Sequence, residues 1–511
     1  MSGSLPPCLD ELAMRRRGTG TTSTDHNLAR RATIAVSWSF LNTAVGRLGT
    51  LAIGIVVARL LGPHEFGVFA VAMLMMLAVL SFNELGVSLA IVRWENDPRE
   101  VAPTVNTVAT ASSALLTIAL WVSAPSICAL LGAPEAVSVV RWLSLAVLIN
   151  GLVSTPAAAM QRELMQRERM VIDQVNVWLG AGVSILLAAL GFGAMSLAVG
   201  RLAGSLVAAG MFLRVSPIPF RFGLNRKIAR RLFRFGLPLA GTSVIVFVIG
   251  YTDQLVAGGL LGPTELGFYV LAFNLASWPV SIFSQPLRSV TPAVFARLQR
   301  DPARMGEAFR SIVRLTLCVA APVCLVMAAV ASPLVDLVYG EVWAPSAPIL
   351  AWLAGFALVR IIAELGYDFL VIAAPTTRLL LIQAIWAVAL IPALVVSGGQ
   401  GGLVGIAMAQ VLVGVLIVLP LYVWFLSHSG VKSISLMRDA ALPLGGAAIA
   451  TLPATLMVNS VGSGLLLLGA TGVIGVVAVG VCVAFSRDQV RAFRNVEDIS
   501  VQSTESAGAT S

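Results

Sequence analysis

Along the chain, runs of twenty or so apolar residues alternate with short polar breaks, and this spacing sets the architecture before any motif is read. A helix crossing a bilayer needs about 20 mostly apolar residues. Runs of that kind fall at 35–60, 66–92, 104–131, 137–159, 171–190, 193–214, 234–261, 266–290, 308–331, 346–372, 379–397, 402–426, 438–458 and 463–485. The pattern predicts an all-α integral membrane protein with about fourteen transmembrane helices. The run after Arg30-Arg31 has the flank of a secretory signal, but it carries Arg47 near its middle and lacks a small-residue cleavage site. It therefore reads as a retained first span. Pro238, Pro279 and Pro286 fall inside spans, where neighbouring helices can satisfy the carbonyls they free.

The polar breaks are not alike. Taken alternately, one set of loops with its helix-end flanks holds 29 of the 34 Lys+Arg, and the other set holds Arg59 alone, beside Glu65, Glu135, Glu265, Asp336 and Glu341. The positive-inside rule then puts both termini in the cytoplasm and requires an even number of spans. An internal repeat supports the same count. Residues 60–67 read Leu-Leu-Gly-Pro-His-Glu-Phe-Gly and residues 260–267 read Leu-Leu-Gly-Pro-Thr-Glu-Leu-Gly, with six of eight positions identical at an offset of 200. Arg93 to Asp97-Pro98 recurs as Arg297 to Asp301-Pro302 at 204, and Trp142-Leu143 recurs as Trp352-Leu353 at 210. In the repeated motif Gly-Pro ends one helix, Glu sits in the first turn of the next, and the last Gly permits close packing.

An offset of an even number of spans returns the chain to the same side, so the halves are expected to be parallel repeats. The expected organisation is a disordered cytoplasmic tail at 1–34, an N-lobe of six helices at 35–214, and a basic cytoplasmic linker at 215–233. A C-lobe of six helices follows at 234–426, then two C-terminal helices within 438–485 and a cytoplasmic tail at 486–511. Met14, just before Arg15-Arg16-Arg17, is a second candidate start. The basic stretch from Arg221 to Arg234 is expected to be an amphipathic surface segment meeting anionic lipid headgroups.

Composition agrees with the spans. Hydrophobic residues make up 58% and charged residues 12%, against about 25% charged in a soluble domain, and mean hydropathy is +0.90. The net charge of +9 does not point to nucleic acid, because the basic residues sit between apolar segments rather than on one face. The five cysteines show no CxxC spacing, and Cys128, Cys318, Cys324 and Cys482 lie inside apolar segments as small packing residues. No P-loop, nucleophile elbow, HExxH or Rossmann glycine pattern occurs, so no cofactor or metal is expected.

Ionisable residues within spans cost at least about 2.5–3.5 kcal/mol each on insertion scales and require a reason. Arg47, Arg201 and Arg360 sit mid-span, Glu84 lies in the second span, and Glu364 and Asp368 follow Arg360 at i+4 and i+8. Arg360 with Glu364 is equally an intrahelical pair. Arg47 and Arg201 have no intrahelical acid within reach, which leaves an anion site facing a cavity or pairing with another helix. Arg141 is near a span end and is expected to snorkel. Asp173 lies near the end of its span. Asp253 stands where the first repeat has Ile53 and is, with Asp368, a candidate for proton or sodium coupling. Asn83, Gln174, Asn176, Gln383 and Gln410 either line the same cavity or join helices.

Ala-Arg-Leu-Leu-Gly-Pro-His-Glu-Phe-Gly at 58–67, Phe235-Gly236-Leu237-Pro238, Tyr339-Gly340-Glu341-Val342-Trp343, and Ile149-Asn150-Gly151 with Gln161-Arg162-Glu163-Leu164 together resemble Wzx-type polysaccharide flippases. More narrowly, the pattern is similar to colanic-acid and succinoglycan exporters of the multidrug/oligosaccharidyl-lipid/polysaccharide exporter superfamily, over residues 35–426. The resemblance implies two six-helix lobes plus two C-terminal helices. It also implies a non-enzymatic transporter that moves undecaprenyl-pyrophosphate-linked oligosaccharide across the inner membrane for exopolysaccharide or lipopolysaccharide synthesis. Arg47, Arg201 and Arg360 suit a pyrophosphate, because arginine offers planar paired donors. Glu84 and Glu364 accompany them as candidate substrate-binding groups. Expected partners are the lipid-linked substrate, membrane lipids, and polymerase and chain-length regulator proteins, with the transporter itself a monomer and no nucleic acid involved. A multidrug exporter of the same superfamily and a membrane glycosyltransferase or polymerase are the alternatives. The short loops on the acidic side count against the enzyme.

Overall fold

The computed structural model describes residues 21–83, 97–284, 301–461 and 465–485, with Ile91, Thr291, 294–296 and 298–299 between them. All regular structure among the described residues is helical. The helices are α1 (Thr21–Asn83), α2 (Ala102–Leu130), α3 (Ala136–Arg162), α4 (Gln166–Ala189), α5 (Met195–Val215), α6 (Arg226–Leu261) and α7 (Pro263–Pro279). They continue as α8 (Pro302–Ala329), α9 (Ala331–Val338), α10 (Ser346–Ala373), α11 (Thr376–Val413), α12 (Leu419–Ser427), α13 (Ser433–Val461) and α14 (Leu465–Phe485). Among the described residues ten helical stretches are long and apolar enough to cross a membrane, with Leu467–Cys482 as a shorter apolar helix.

Two of these stretches hold a break at which the expected pattern places a polar gap. α1 runs unbroken by hydrogen bonding, yet Gly62 has φ 73° and ψ 175° and divides the first two expected spans. Gly402, with φ 57° and ψ −144°, divides α11 in the same way, and a π-turn at Gly414–Val418 joins α11 to α12. Only glycine adopts these backbone angles without strain. One difference lies at the start. Residues 1–20 fall outside the described part, but from Thr21 the chain is helical, inside the stretch expected to be a disordered tail. The helix-forming run Leu28-Ala29-Arg30-Arg31-Ala32 adjoins a span, so helix propagates into it without a new nucleus.

The chain clusters into two compact units. One comprises Met1–Leu60, Met75–Ala124 and Val137–Ile245, the other Leu61–Leu74, Pro125–Ala136 and Val246–Ser511. In the first unit α4 and α5 approach closely through glycine: a Cβ on Gly200 would meet Ser184 Oγ at 2.0 Å, and one on Gly204 would meet the Asn176 carbonyl at 2.4 Å. Small residues let helix backbones touch where no hydrophobic force drives them together. The linker after α5 is held on the first unit by hydrogen bonds to α2. Asn106 Nδ2 donates to Arg221 O at 3.0 Å, Thr107 Oγ1 to Gly223 O at 2.8 Å, and Asn225 N to Thr104 Oγ1 at 3.1 Å. Polar side chains at the start of α2 thus hold residues 221–225, and from Arg226 the basic stretch is the first part of α6.

In the second unit Phe295, Phe309 and Phe369 form a fully buried aromatic cluster, with Phe309 and Phe369 centroids 4.9 Å apart. α8 also carries α13: Arg310 and Arg314 reach Asp439 at 3.8 and 3.6 Å. The repeat is visible as local geometry. Gly262 has φ 88° and ψ 177°, close to the angles of Gly62. Asp97 accepts from Arg99 N and Asp301 from Arg304 N, each before a proline that opens a helical turn.

Candidate functional site

The polar cluster of the second unit begins at the turn on Gly262. α6 ends and α7 begins at this turn, and residues at similar distances before and after it meet. Asp253 and Tyr269 are such a pair. Asp253 is 1% exposed, and Tyr269 donates its hydroxyl to Asp253 Oδ2 at 2.8 Å. Gln410 of α11 lies beside the carboxylate. Asp253 Oδ1 and Gln410 Oε1 are both buried without a hydrogen-bond partner among the described residues. Two orphaned buried acceptors, one on a carboxylate, form a place where a proton or a small cation would restore the missing contacts.

α10 supplies the charged side of the cluster. Arg360, Glu364 and Asp368 recur at helical spacing on one face. Arg360 Nε donates to Glu364 Oε1 at 3.2 Å, and its guanidinium lies 5.9 Å from the Phe273 ring centroid. Phe273 is one turn beyond Tyr269 on α7, so the face of α7 that meets Asp253 also meets Arg360. Tyr251 of α6, stacked on Phe247 at 5.0 Å, lies within electrostatic reach of the same guanidinium. Asp368 is buried, with a partner of its own. The structure therefore brings Asp253, Arg360, Glu364 and Asp368 into one half, around α6, α7, α10 and α11.

The first unit contributes Arg201. It is exposed on α5, and among the described residues no hydrogen bond or ion pair engages it. Its backbone lies at the close approach of α4 and α5, where a Cβ on Gly180 would stand 3.9 Å from Arg201 Cα. Arg47 lies on α1 with its side chain outside the described residues, and Glu84 lies outside them altogether. Asp173 pairs with Arg169 at 4.0 Å, half-exposed. Arg141 donates from Nε to Trp121 O at 3.3 Å with its guanidinium 5.7 Å from the Trp121 ring, which anchors it at a span end. Trp178 donates to Gln174 at 3.2 Å, and Asn176 packs against Gly204.

Two features escaped the sequence reading. Tyr269 was not singled out, although the first repeat has Phe69 there just as it has Ile53 opposite Asp253. A paired change from Ile and Phe to Asp and Tyr was the available signal. The second is an apolar cleft of about 360 Å³ between α8 and α14, lined by Val326, Met327, Val330, Leu468 and Val476. Its one hydroxyl, on Thr471, already donates to Leu467 O at 2.9 Å, so it offers nothing to a sugar or a phosphate.

Residues 56–348 match the family described as "Polysaccharide biosynthesis protein". The chain is 28% identical over 327 residues to the succinoglycan biosynthesis transport protein ExoT of Rhizobium meliloti (strain 1021), covering 64% of this chain and 66% of that protein, just under two thirds of its length. It is 23% identical over 396 residues to the lipopolysaccharide biosynthesis protein WzxC of Escherichia coli (strain K12), covering 76% and 80%. Among solved structures, the lipid II flippase MurJ in an inward closed conformation superposes with a TM-score of 0.73 at 15% identity, over 89% of this chain and all of that one. An inward-facing multidrug resistance MATE transporter superposes at 0.61 and 19% identity, over 75% and 95%. The multi-pass helical fold is thus shared with these transporters, and the match over 56–348 spans more than half of the sequence. The chain belongs to the polysaccharide biosynthesis protein family.

Proposed function

We propose that the protein is a flippase that carries undecaprenyl-pyrophosphate-linked oligosaccharide repeat units across the cytoplasmic membrane for exopolysaccharide or lipopolysaccharide synthesis. Membership of the polysaccharide biosynthesis family carries this reading, since the relatives above are described by their part in building or transporting such polymers. No covalent step is asked of the protein. In this reading about fourteen spans form two six-helix lobes plus two C-terminal helices, with both termini cytoplasmic and the monomer as the working unit.

The polar groups then divide by chemistry. Among the described residues nothing engages the Arg201 guanidinium, which lies in a span and fits one face of a pyrophosphate. Arg47 and Glu84 are assigned to the same path on the sequence alone. Arg360 is half-neutralised by Glu364 and backed by an aromatic ring, which suits sugar hydroxyls beside the phosphate. Asp253 and Asp368 supply the ion-coupling step, with the orphaned Oδ1 of Asp253 as the point of proton or sodium uptake.

A deletion strain tests the function. Lipid-linked repeat units accumulating on the cytoplasmic leaflet, with surface polymer lost, is the expected result. Normal surface polymer together with drug hypersensitivity would favour a multidrug exporter and end the flippase reading.

A further inference from the structure

The two repeat turns meet inside the second unit, on the side of the chain away from the basic loops. Pro63 O lies 2.2 Å from where a Cβ on Gly267 would stand, and Pro263 O lies 1.7 Å from the same point on Gly67. Each turn thus seats its glycine against the other's proline carbonyl. Near this junction the second repeat carries something the first lacks. Both repeats make a turn through a positive-φ glycine, Gly132 and Gly340, and then reach the matched tryptophans Trp142 and Trp352. The stretch in the second repeat is two residues longer and contains Trp343, whereas Ala133-Pro134-Glu135 carries no aromatic ring.

Trp343 is 1% exposed, the largest of the fully buried side chains. Its ring meets Phe66 edge-on at 5.6 Å and 89°, and Phe268 edge-on at 5.9 Å and 88°. Phe66 belongs to the first repeat's turn and Phe268 to the second's, so one indole grips both. Ser346 Oγ donates to Phe268 O at 3.0 Å and fixes the start of α10 to α7, so the segment that carries Trp343 is tied to the second repeat's turn.

We propose that Trp343 is a latch: seated between Phe66 and Phe268, it sets how readily the junction of the two repeat turns opens. The inference rests on the transport reading in one respect, that a carrier must open here to release its cargo. Separation of Phe66 from Phe268 cannot occur without unseating a fully buried indole from one of them, so packing resists opening at this end beside the polar His64–Thr264 contact. Because the block occurs in one repeat only, the latch travels with the second repeat.

The test uses the full chain in spheroplasts, in a background with the five native cysteines replaced. Ala347→Cys is the reporter, buried beside the junction, and a membrane-impermeant maleimide is the probe. Trp343→Ala is expected to raise the labelling rate about tenfold or more, and Trp343→Phe by less. A second set adds His64→Cys with Thr264→Cys, oxidised to tie the turns together. The tie should return the Trp343→Ala protein to slow labelling. Unchanged labelling in a monodisperse Trp343→Ala protein overturns the latch. So does labelling that stays fast in the tied protein, since that reports only local loosening of residues 341–347. Neither readout involves a substrate, so normal surface polymer in the deletion strain would remove the flippase reading without deciding this one.

Discussion

His64 Nδ1 and Thr264 Oγ1 lie 3.0 Å apart, and the two residues are 200 positions apart in the chain. That separation is the offset that relates the two Leu-Leu-Gly-Pro motifs, so each residue touches its own repeat mate. Repeat mates meet only where the symmetry relating the repeats passes between them. The reciprocal contacts of Gly67 with Pro263 and Gly267 with Pro63 have the same character. The junction is not fully symmetric: His64 also reaches Glu135 at 3.6 Å through its other ring nitrogen.

Replacement of Gly67 or Gly267 by alanine should therefore destabilise the protein. The added Cβ would fall 1.7 Å from Pro263 O or 2.2 Å from Pro63 O, against backbone that cannot rotate away. A loss of about 1–3 kcal/mol is expected from such overpacking. Gly399→Ala is the control, because it lies in helix with nothing within 4 Å. Unfolding temperatures of the three variants in detergent decide the matter, and equal values would mean that the junction relaxes freely.

Much of this junction was legible beforehand. Gly-Pro after an apolar run announced both turns, and the structure gives Gly62 and Gly262 nearly the same backbone angles. The gap between the apolar runs 379–397 and 402–426 placed a further break, and Gly402 turns the chain there. Two things were not legible. Close approach of Gly67 to Pro263 depends on residues some 200 positions apart, and no local pattern encodes which carbonyl a glycine will meet. The helical start at Thr21 was hidden because polar composition describes solvation and not the cost of extending a helix already nucleated. In the site, Arg360 with Glu364 was readable as an i,i+4 pair and is one. Tyr269 beside Asp253 needed the two repeats to be compared position by position.

The Asp253–Tyr269 pair should behave as a unit. Tyr269→Phe removes the donor to Asp253 Oδ2 and leaves a carboxyl group that already has one orphaned oxygen. A cost of about 1–3 kcal/mol is expected for the stranded acceptor. Asp253→Asn, which supplies an amide in place of the acid, should change that cost, so the double variant will not be the sum of the singles. A coupling of at least about 0.5 kcal/mol in a thermal-unfolding cycle is the expected outcome. Strict additivity would show that the 2.8 Å contact carries no energy.

Arg201 and Arg360 should fail differently. Arg201 has no partner among the described residues, so Arg201→Ala removes a charge without stranding another and should leave protein levels intact while cutting export about tenfold or more. Arg360→Ala removes the guanidinium 3.2 Å from Glu364, 19% exposed, and should lower stability as well as export. Pairing Arg360→Gln with Glu364→Gln should restore stability but not export. Surface polymer per unit of membrane protein, measured beside the unfolding temperature, separates the two effects. Full export by Arg201→Ala would remove it from the substrate path.

The attachment of α13 gives a last expectation. Asp439 is 17% exposed and is shared by Arg310 and Arg314 on α8, so a single carboxylate balances two guanidiniums at one end of the helix pair. Elsewhere the contact is of small groups, such as Gly306 against the Gly430 carbonyl at 2.8 Å from its would-be Cβ. Asp439→Asn removes the carboxylate that both partly buried arginines reach and should cost about 1–3 kcal/mol. The 428–432 loop leading into α13 should then be cut faster by protease, with a lower unfolding temperature. Salt at 1 M should not reproduce this in the unaltered protein, because charges this far from solvent are screened weakly. If salt alone loosens the loop to the same degree, the triad is a surface contact and the small-residue packing holds α13 in place.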